Sequence, residues 1–250
     1  MPFAIMQESL DPPPTAEQLQ EAFAAVAGLT RLDGALQAHD AYGRLASGLP
    51  LDRAKALQKA LQAQRVSTVV ADEEALPALP PPKALTRADA LPEAFILYDA
   101  LGRPRRADWD QVILIAAGSV SLTHFQRTYK DVVVGHTGRF PVVVRDLEVK
   151  ESRQASLMAE VFLNGHPNRY RILAKGFNYA YLGPEASLRS TDNFLRLLGD
   201  LLRFAPGATR NCGAEFLASN PPQTLPYPSR HAFEEESVWW LWKRALPPGP

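Results

Sequence analysis

Cysteine is nearly missing from this chain. A single one, Cys212, stands among 250 residues, which excludes an internal disulfide and any cysteine-rich zinc site. An excess of one charge is missing too: 27 lysines and arginines balance 27 aspartates and glutamates. The division is mildly uneven, with 6 basic against 10 acidic side chains in residues 1–76 and 21 against 17 in residues 77–250. Neither part has the dense basic stripe that nucleic acid demands, so no nucleic-acid partner is expected. No apolar run is long enough to span a bilayer. The N-terminus has no basic start followed by an apolar core, and a cytoplasmic location is the expectation. Glycine-rich phosphate loops, dinucleotide fingerprints, Gly-x-Ser-x-Gly and His-x-x-x-His pairs are all absent. No cofactor, no metal and no catalytic residue are therefore expected.

Proline is plentiful, with 22 residues, and it clusters. Leu76-Pro77-Ala78-Leu79-Pro80-Pro81-Pro82 is the clearest boundary, because such a run can neither join a helix nor donate to a central ladder. It predicts an extended spacer or, less commonly, a ligand for a proline-recognition domain. Four segments follow: an α/β sandwich at 1–76, a linker at 77–89, a β domain at 90–210 and a proline-rich tail with a terminal helix at 211–250.

In the first segment Phe3-Ala4-Ile5-Met6 reads as a strand. Thr15 and Gln18 form a capping box before a helix with Leu19, Ala22, Phe23 and Val26 on one face. Thr30 caps a second helix that turns Leu32, Ala35 and Leu36 inward. A short strand over Tyr42 to Ser47, a helix capped by Asp52 and the strand Val66 to Val70 complete a β-α-α-β-α-β order. Helices on one sheet face make a two-layer sandwich. The Ala27-Gly28-Leu29 junction, Ser47-Gly48-Leu49 and the final valine-rich strand resemble the C-terminal domain of the bacterial ribosomal stalk protein. That family docks translation factors through lysines on its paired helices. Arg31, Asp33 and Gln37 stand in the corresponding region here, so only the fold is implied.

Between 90 and 210 about seven strands are legible, with short turns between them. They include Phe95 to Tyr98, Arg103 to Ala107, Val112 to Ala117, Val132 to Val134 and Val142 to Val149. A hairpin over Leu157 to Leu163 and Tyr170 to Leu173 turns at Asn164-Gly165, and an aromatic strand covers 177–181. A helix capped by Ser190 or Thr191 follows, with Phe194, Leu197, Leu198, Leu201, Leu202 and Ala205 on its inner face. Seven strands, one closing helix and the phrase Arg106-Ala107-Asp108-Trp109-Asp110-Gln111-Val112 resemble the bacterial pleckstrin-homology-like domain. The resemblance implies a mostly antiparallel seven-stranded β-barrel plugged by that helix, and a partner that is a lipid headgroup, a peptide or a protein. The fold class expected for the whole chain is α+β.

The candidate binding residues follow from this picture. Arg103, Arg105 and Arg106 around Pro104, close to Trp109, offer planar donors to phosphate or carboxylate, or else protect a hairpin edge by charge. Tyr179 and Tyr181 line a groove or sit in the core. His231 to Leu246 reads as a helix, with Glu234, Glu235 and Glu236 near its positive end. Trp239, Trp240 and Trp242 in that helix pack on the body or meet a partner; they cannot share one face. His231 with Glu234 or Glu235 has one-turn spacing for a metal, but two residues do not make a site. His136, between Gly135 and Gly138, reads as a turn residue, and Cys212 is a nucleophile only beside a histidine. The reading is a non-enzymatic interaction module that binds another protein or peptide. Anionic lipid or phosphate at the Arg103–Arg106 hairpin is one alternative, and a hydrolase assembled from distant residues is the other.

Overall fold

A computed structural model of the chain describes residues 1–137, 140–220 and 223–246, with side chains described at all of these except 124–127, 131–137, 140–144 and 146–151. The fold is α+β, with sheets of mixed topology, and no sheet closes.

The N-terminal unit runs β1 (Phe3–Gln7), α1 (Ala16–Ala24), α2 (Arg31–His39), β2 (Arg44–Leu49), α3 (Leu51–Ala63) and β3 (Thr68–Asp72). β1 lies centrally, antiparallel to both neighbours. Capping boxes at Thr15/Gln18 and Thr30/Asp33 start the first two helices. α3 starts differently from the expectation: Pro50 is its N-cap, and Asp52 lies in its first turn. Ile5, Leu45 and Leu49 face α1 and α3 through Leu19, Phe23, Leu57 and Leu61. α2 departs further. Its buried residue is Gly34, which lies so close to α1 that a Cβ there would sit 2.6 Å from the Leu19 carbonyl oxygen. Backbone approach at Gly34 thus turns Leu32 and Leu36 outward, and both are about two-thirds exposed (66% and 64%).

The end of the proline run joins a sheet. β4 (Pro82–Leu85) pairs in parallel with β10 (Arg169–Leu173). The Pro81 carbonyl accepts from Arg169 N–H at 3.2 Å, and the Pro80 carbonyl accepts from the Arg169 guanidinium. Proline lacks a donor but keeps its acceptor, so an edge strand tolerates it at its first residue.

The barrel expected for residues 90–210 is not formed, and the pleckstrin-homology-like description falls with it. β5 (Ala88–Leu91), β6 (Ala94–Tyr98) and β7 (Pro104–Ala107) make a separate three-stranded meander. β8 (Val112–Thr137) and β9 (Phe140–Leu163) are single strands of 26 and 24 residues. They lie in a sheet ordered β11-β8-β9-β10-β4, with β11 (Thr209–Arg210) and β12 (Pro226–Tyr227) both parallel to β8. The expected strands 112–117 and 132–134 are one continuous strand, as are 142–149 and 157–163. The polar stretches between them read as loops in isolation. Cross-strand pairing keeps them extended, with an uninterrupted register from Gly118↔Met158 to Val133↔Val143.

The aromatic segment 177–181 is not a strand either: Asn178 makes one isolated bridge to Arg87, and a 3₁₀ turn, Ala180–Glu185, follows. Arg189 occupies the N-cap position of α4 (Ser190–Phe204) without a side-chain capping bond, and Ser190 is already inside the helix. It buries Phe194, Leu197, Leu198, Leu201 and Leu202, but against open sheets rather than a barrel mouth: its partners include Phe95, Leu97, Ile115 and Val161. α5 (Cys212–Ser219) and α6 (Arg230–Ala245) complete the chain.

Strand alternation explains the layering. Ile115 and Ala117 join the α4 core, whereas Leu114 and Ala116 meet Phe233 of α6. Val112 to Ala117 is apolar throughout because both of its faces are covered. In β1, Ile5 faces the helices while Ala4 and Met6 face Trp239 and Trp242. α6 is therefore shared between two sheets, and the N-terminal sandwich has a third layer.

Candidate functional site

Beyond Val120 and Ser156, β8 and β9 pair only with each other among the described residues, from Ser121↔Ala155 to Thr137↔Phe140. Those 17 residues of β8 make a two-stranded arm about 55 Å long at about 3.3 Å per residue. Charged pairs such as Lys130↔Asp146 and Asp131↔Arg145 occur along its stem, and Val132↔Val144 and Val133↔Val143 pair near its far end. Tyr129 is two-thirds exposed (67%). The side chains of His124 and His136 lie outside the described residues, and the backbone at 136, expected as a turn, is part of β8 opposite Pro141.

The arginine hairpin is largely self-satisfied. Arg103 Nε donates to Asp99 at 2.6 Å, and hydrogen bonds from the Arg103 backbone and side chain hold the Asp99 carboxyl below its ordinary range. Arg106 Nε donates to Asp108 at 2.9 Å and its Nη2 to the Glu93 carbonyl at 3.0 Å. Arg105 lies 3.2 Å from His166, whose pKa is lowered by burial and then by that guanidinium. Arg103 and Arg105 share a shallow cleft of about 320 Å³ with Lys83, Tyr98 and Tyr170, whereas Arg106 and Trp109 lie outside it. Trp109 is a packing residue: its indole N–H donates to the Leu91 carbonyl at 2.9 Å, and its ring stacks on Phe95 at 5.6 Å. Tyr179 and Tyr181 do not line a common groove with the arginines. Their hydroxyls donate to the Ala174 carbonyl and to Asp200, and burial raises both pKa values.

The three tail tryptophans separate. Trp239 and Trp242 are buried on β1, and the Trp239 indole N–H donates to the Gln7 carbonyl at 2.7 Å. Trp240 is half-buried and donates to Glu236 at 3.1 Å. The glutamate run before them does more than suit a helix dipole. Glu234 binds Arg169 and Arg171, Glu235 binds Arg44, and Glu236 accepts from Tyr227 Oη, Trp240 Nε1 and the Cys212 amide. Among the described residues no lysine or arginine pairs with Glu236, which is fully buried. His231 Nδ1 is 3.9 Å from Glu235, a residue already held by Arg44. No group of three or more metal-type ligands occurs among the described residues, and that pair forms no metal site.

Cys212 heads α5. Burial, then the Glu236 charge, pushes its thiol up to about 12, so it is a protonated thiol at neutral pH rather than a nucleophile. It lines a cleft of about 660 Å³ bounded by α5, α6 and the N-terminal unit.

A second cluster escapes sequence inspection. Glu160, wholly buried, lies between Arg169 and Arg171. Arg171 Nε donates to it at 2.6 Å, and Arg169 Nε is 2.8 Å away as an ion pair out of hydrogen-bond alignment. The available signal is a charge inside Met158-Ala159-Glu160-Val161-Phe162, which demands a buried partner. The hairpin register supplies it by setting Arg171 opposite Glu160. No family model, characterised protein or solved structure matches the chain.

Proposed function

We propose that this chain is a non-enzymatic interaction protein whose β8–β9 arm engages another protein, with the α6-centred body as its mount. One observation carries the reading: a ribbon of 17 paired residues leaves the sheet with no third strand among the described residues. An isolated two-stranded ribbon is marginal in water. Its edges carry backbone donors and acceptors that a neighbouring strand satisfies, which is the basis of recognition by strand addition. The chain sequence at the far end, Val132-Val133-Val134 and Val142-Val143-Val144, has the β-branched side chains that favour sheet formation. The residues most suggestive of reactivity support the same reading, since Cys212 is held as a thiol and Glu234, Glu235 and Glu236 are each committed to structural partners.

Site-specific photo-crosslinking tests it. A benzophenone side chain at exposed Tyr129 is compared, in the native cell, with one at fully exposed Leu188 on the body. Discrete protein adducts from position 129 that position 188 does not give are expected. Equal adducts, or none, from the two positions overturn the assignment of the arm as the contact.

A further inference from the structure

We propose that the cleft between α5, α6 and the N-terminal unit binds an organic cation, an ammonium group carried on an aromatic or branched apolar body. The cleft, about 660 Å³, is of small-molecule size and lies where three parts of the fold meet. Its walls present the rings of Tyr42, Phe216 and Trp240 together with the carboxylates of Asp11 and Glu215, the latter 3.6 Å from Arg210, which is not among the lining residues. No lysine or arginine is among the described residues that line it. His39 is there, but its ring lies 3.2 Å from Asp40, which offsets any charge it takes up.

Behind the wall sits Glu236, buried and without a basic partner among the described residues. Its carboxylate reaches the cleft through two of its hydrogen bonds. Trp240 Nε1–H donates to it at 3.1 Å and the Cys212 amide at 2.6 Å. An indole whose N–H is held by a carboxylate has a more electron-rich ring, and such a ring face attracts cations. The same charges act on the neighbouring groups. After burial itself, Glu236 and then Asp40 raise the Tyr42 hydroxyl, and Glu236 raises the Cys212 thiol. Aromatic rings under a negative potential, in a pocket lined by no lysine or arginine among the described residues, favour a weakly hydrated cation and disfavour an anion of the same shape.

The test uses the full chain labelled at its tryptophan indoles. The Trp240 indole N–H resonance, identified by its loss in Trp240→Phe, is followed during titration with benzyltrimethylammonium. Benzyl alcohol and phenylacetate are the neutral and anionic comparisons. A saturable shift is expected with the cation and binding about tenfold weaker or less with the other two, the margin a partly desolvated cation–π contact supplies. The double variant Asp11→Asn/Glu215→Gln, both at exposed positions, is expected to fold normally and to weaken that preference, with Glu236 and the rings retaining part of it. No saturable shift with the cation up to about 10 mM, a concentration bracketing weak binding, overturns the proposal. So does an equal response to all three compounds, or an unchanged preference in the double variant.

Discussion

At the scale of single residues, burial has set the ionisation of the core. Cys212, Tyr179, Tyr181 and Tyr227 all lose their protons at higher pH in the folded chain than in the unfolded one, with burial the largest cause in each. Below an unfolded value of about 8.5 for cysteine and about 10 for tyrosine these groups are neutral in both states and stability does not depend on them. Above those values the unfolded chain releases protons that the folded chain retains, so stability falls as pH rises. For Cys212 the loss runs from about 8.5 to the folded value of about 12. Denaturant titrations at stepped pH should show a midpoint that declines from about pH 9 upward. Cys212→Ser should remove the earliest part of that decline. An unchanged pH profile in the variant would mean that the thiol ionises normally. Tyr227 belongs to the same cluster, since its hydroxyl donates to Glu236 and accepts from Gly213 N–H at 3.1 Å. None of this is legible along the chain. Glu236, Asn211 and Tyr227 are 9 to 25 residues apart, and no spacing rule connects them.

At the scale of elements, close backbone approaches decide where helices sit. Asn211 is fully buried. Its side-chain oxygen accepts from Ala214 N–H at 2.8 Å, capping α5, and from Ala117 N–H at 2.8 Å, tying that cap to β8. Two residues on, a Cβ at Gly213 would stand 1.9 Å from the Ala117 carbonyl oxygen. Gly213→Ala therefore forces α5 away from β8 and breaks the Asn211 bonds. A loss of at least about 3 kcal/mol is expected in urea unfolding, at the upper end of overpacking penalties. A loss below about 1 kcal/mol would show that α5 shifts without cost. Gly34 acts similarly between α1 and α2, and there the sequence pattern misleads. Leu32, Ala35 and Leu36 have the spacing of a buried stripe, yet the small residue beside them sets the contact and the two leucines face outward. The stripe on α4 is read correctly because six apolar side chains at helical spacing outweigh any local alternative. What they pack against is not encoded in the stripe.

At the scale of the whole molecule, α6 and the β8–β9 ribbon divide the work. α6 places Trp239 and Trp242 on the N-terminal sheet and Phe233 on the central one, so the terminal helix packs against both. Among the residues whose side chains are described, the ribbon by contrast joins a core cluster only near its base, through Leu122. Replacing residues 125–151 with Asn-Gly joins the paired positions His124 and Ser152 by a turn suited to a two-residue hairpin. The thermal midpoint of the shortened chain should stay within about 4 °C of the full chain, equivalent to a change of less than about 1 kcal/mol, while the protein crosslinked at Tyr129 in the full chain no longer co-purifies with it. A large drop in the midpoint would show that the arm supports the body instead of serving a partner.

The order of helices and strands in the first 72 residues, the hairpin at Asn164-Gly165 and the apolar face of α4 were determined by the sequence alone. Each rests on interactions between residues close along the chain: caps, turn geometry and helical spacing. Three matters were decided only in the folded chain. The polar stretches 123–131 and 150–154 became strand because the ladder holds them extended, the first opposite 145–153 and the second opposite 122–126. The last proline of the run opens an edge strand, and Arg169 holds the two prolines before it through their carbonyls. The sheets stayed open because β8 and β9 extend as a long paired ribbon, while α6 covers the face that a barrel would have turned outward. These outcomes depend on contacts between distant residues, whose energies no local pattern contains.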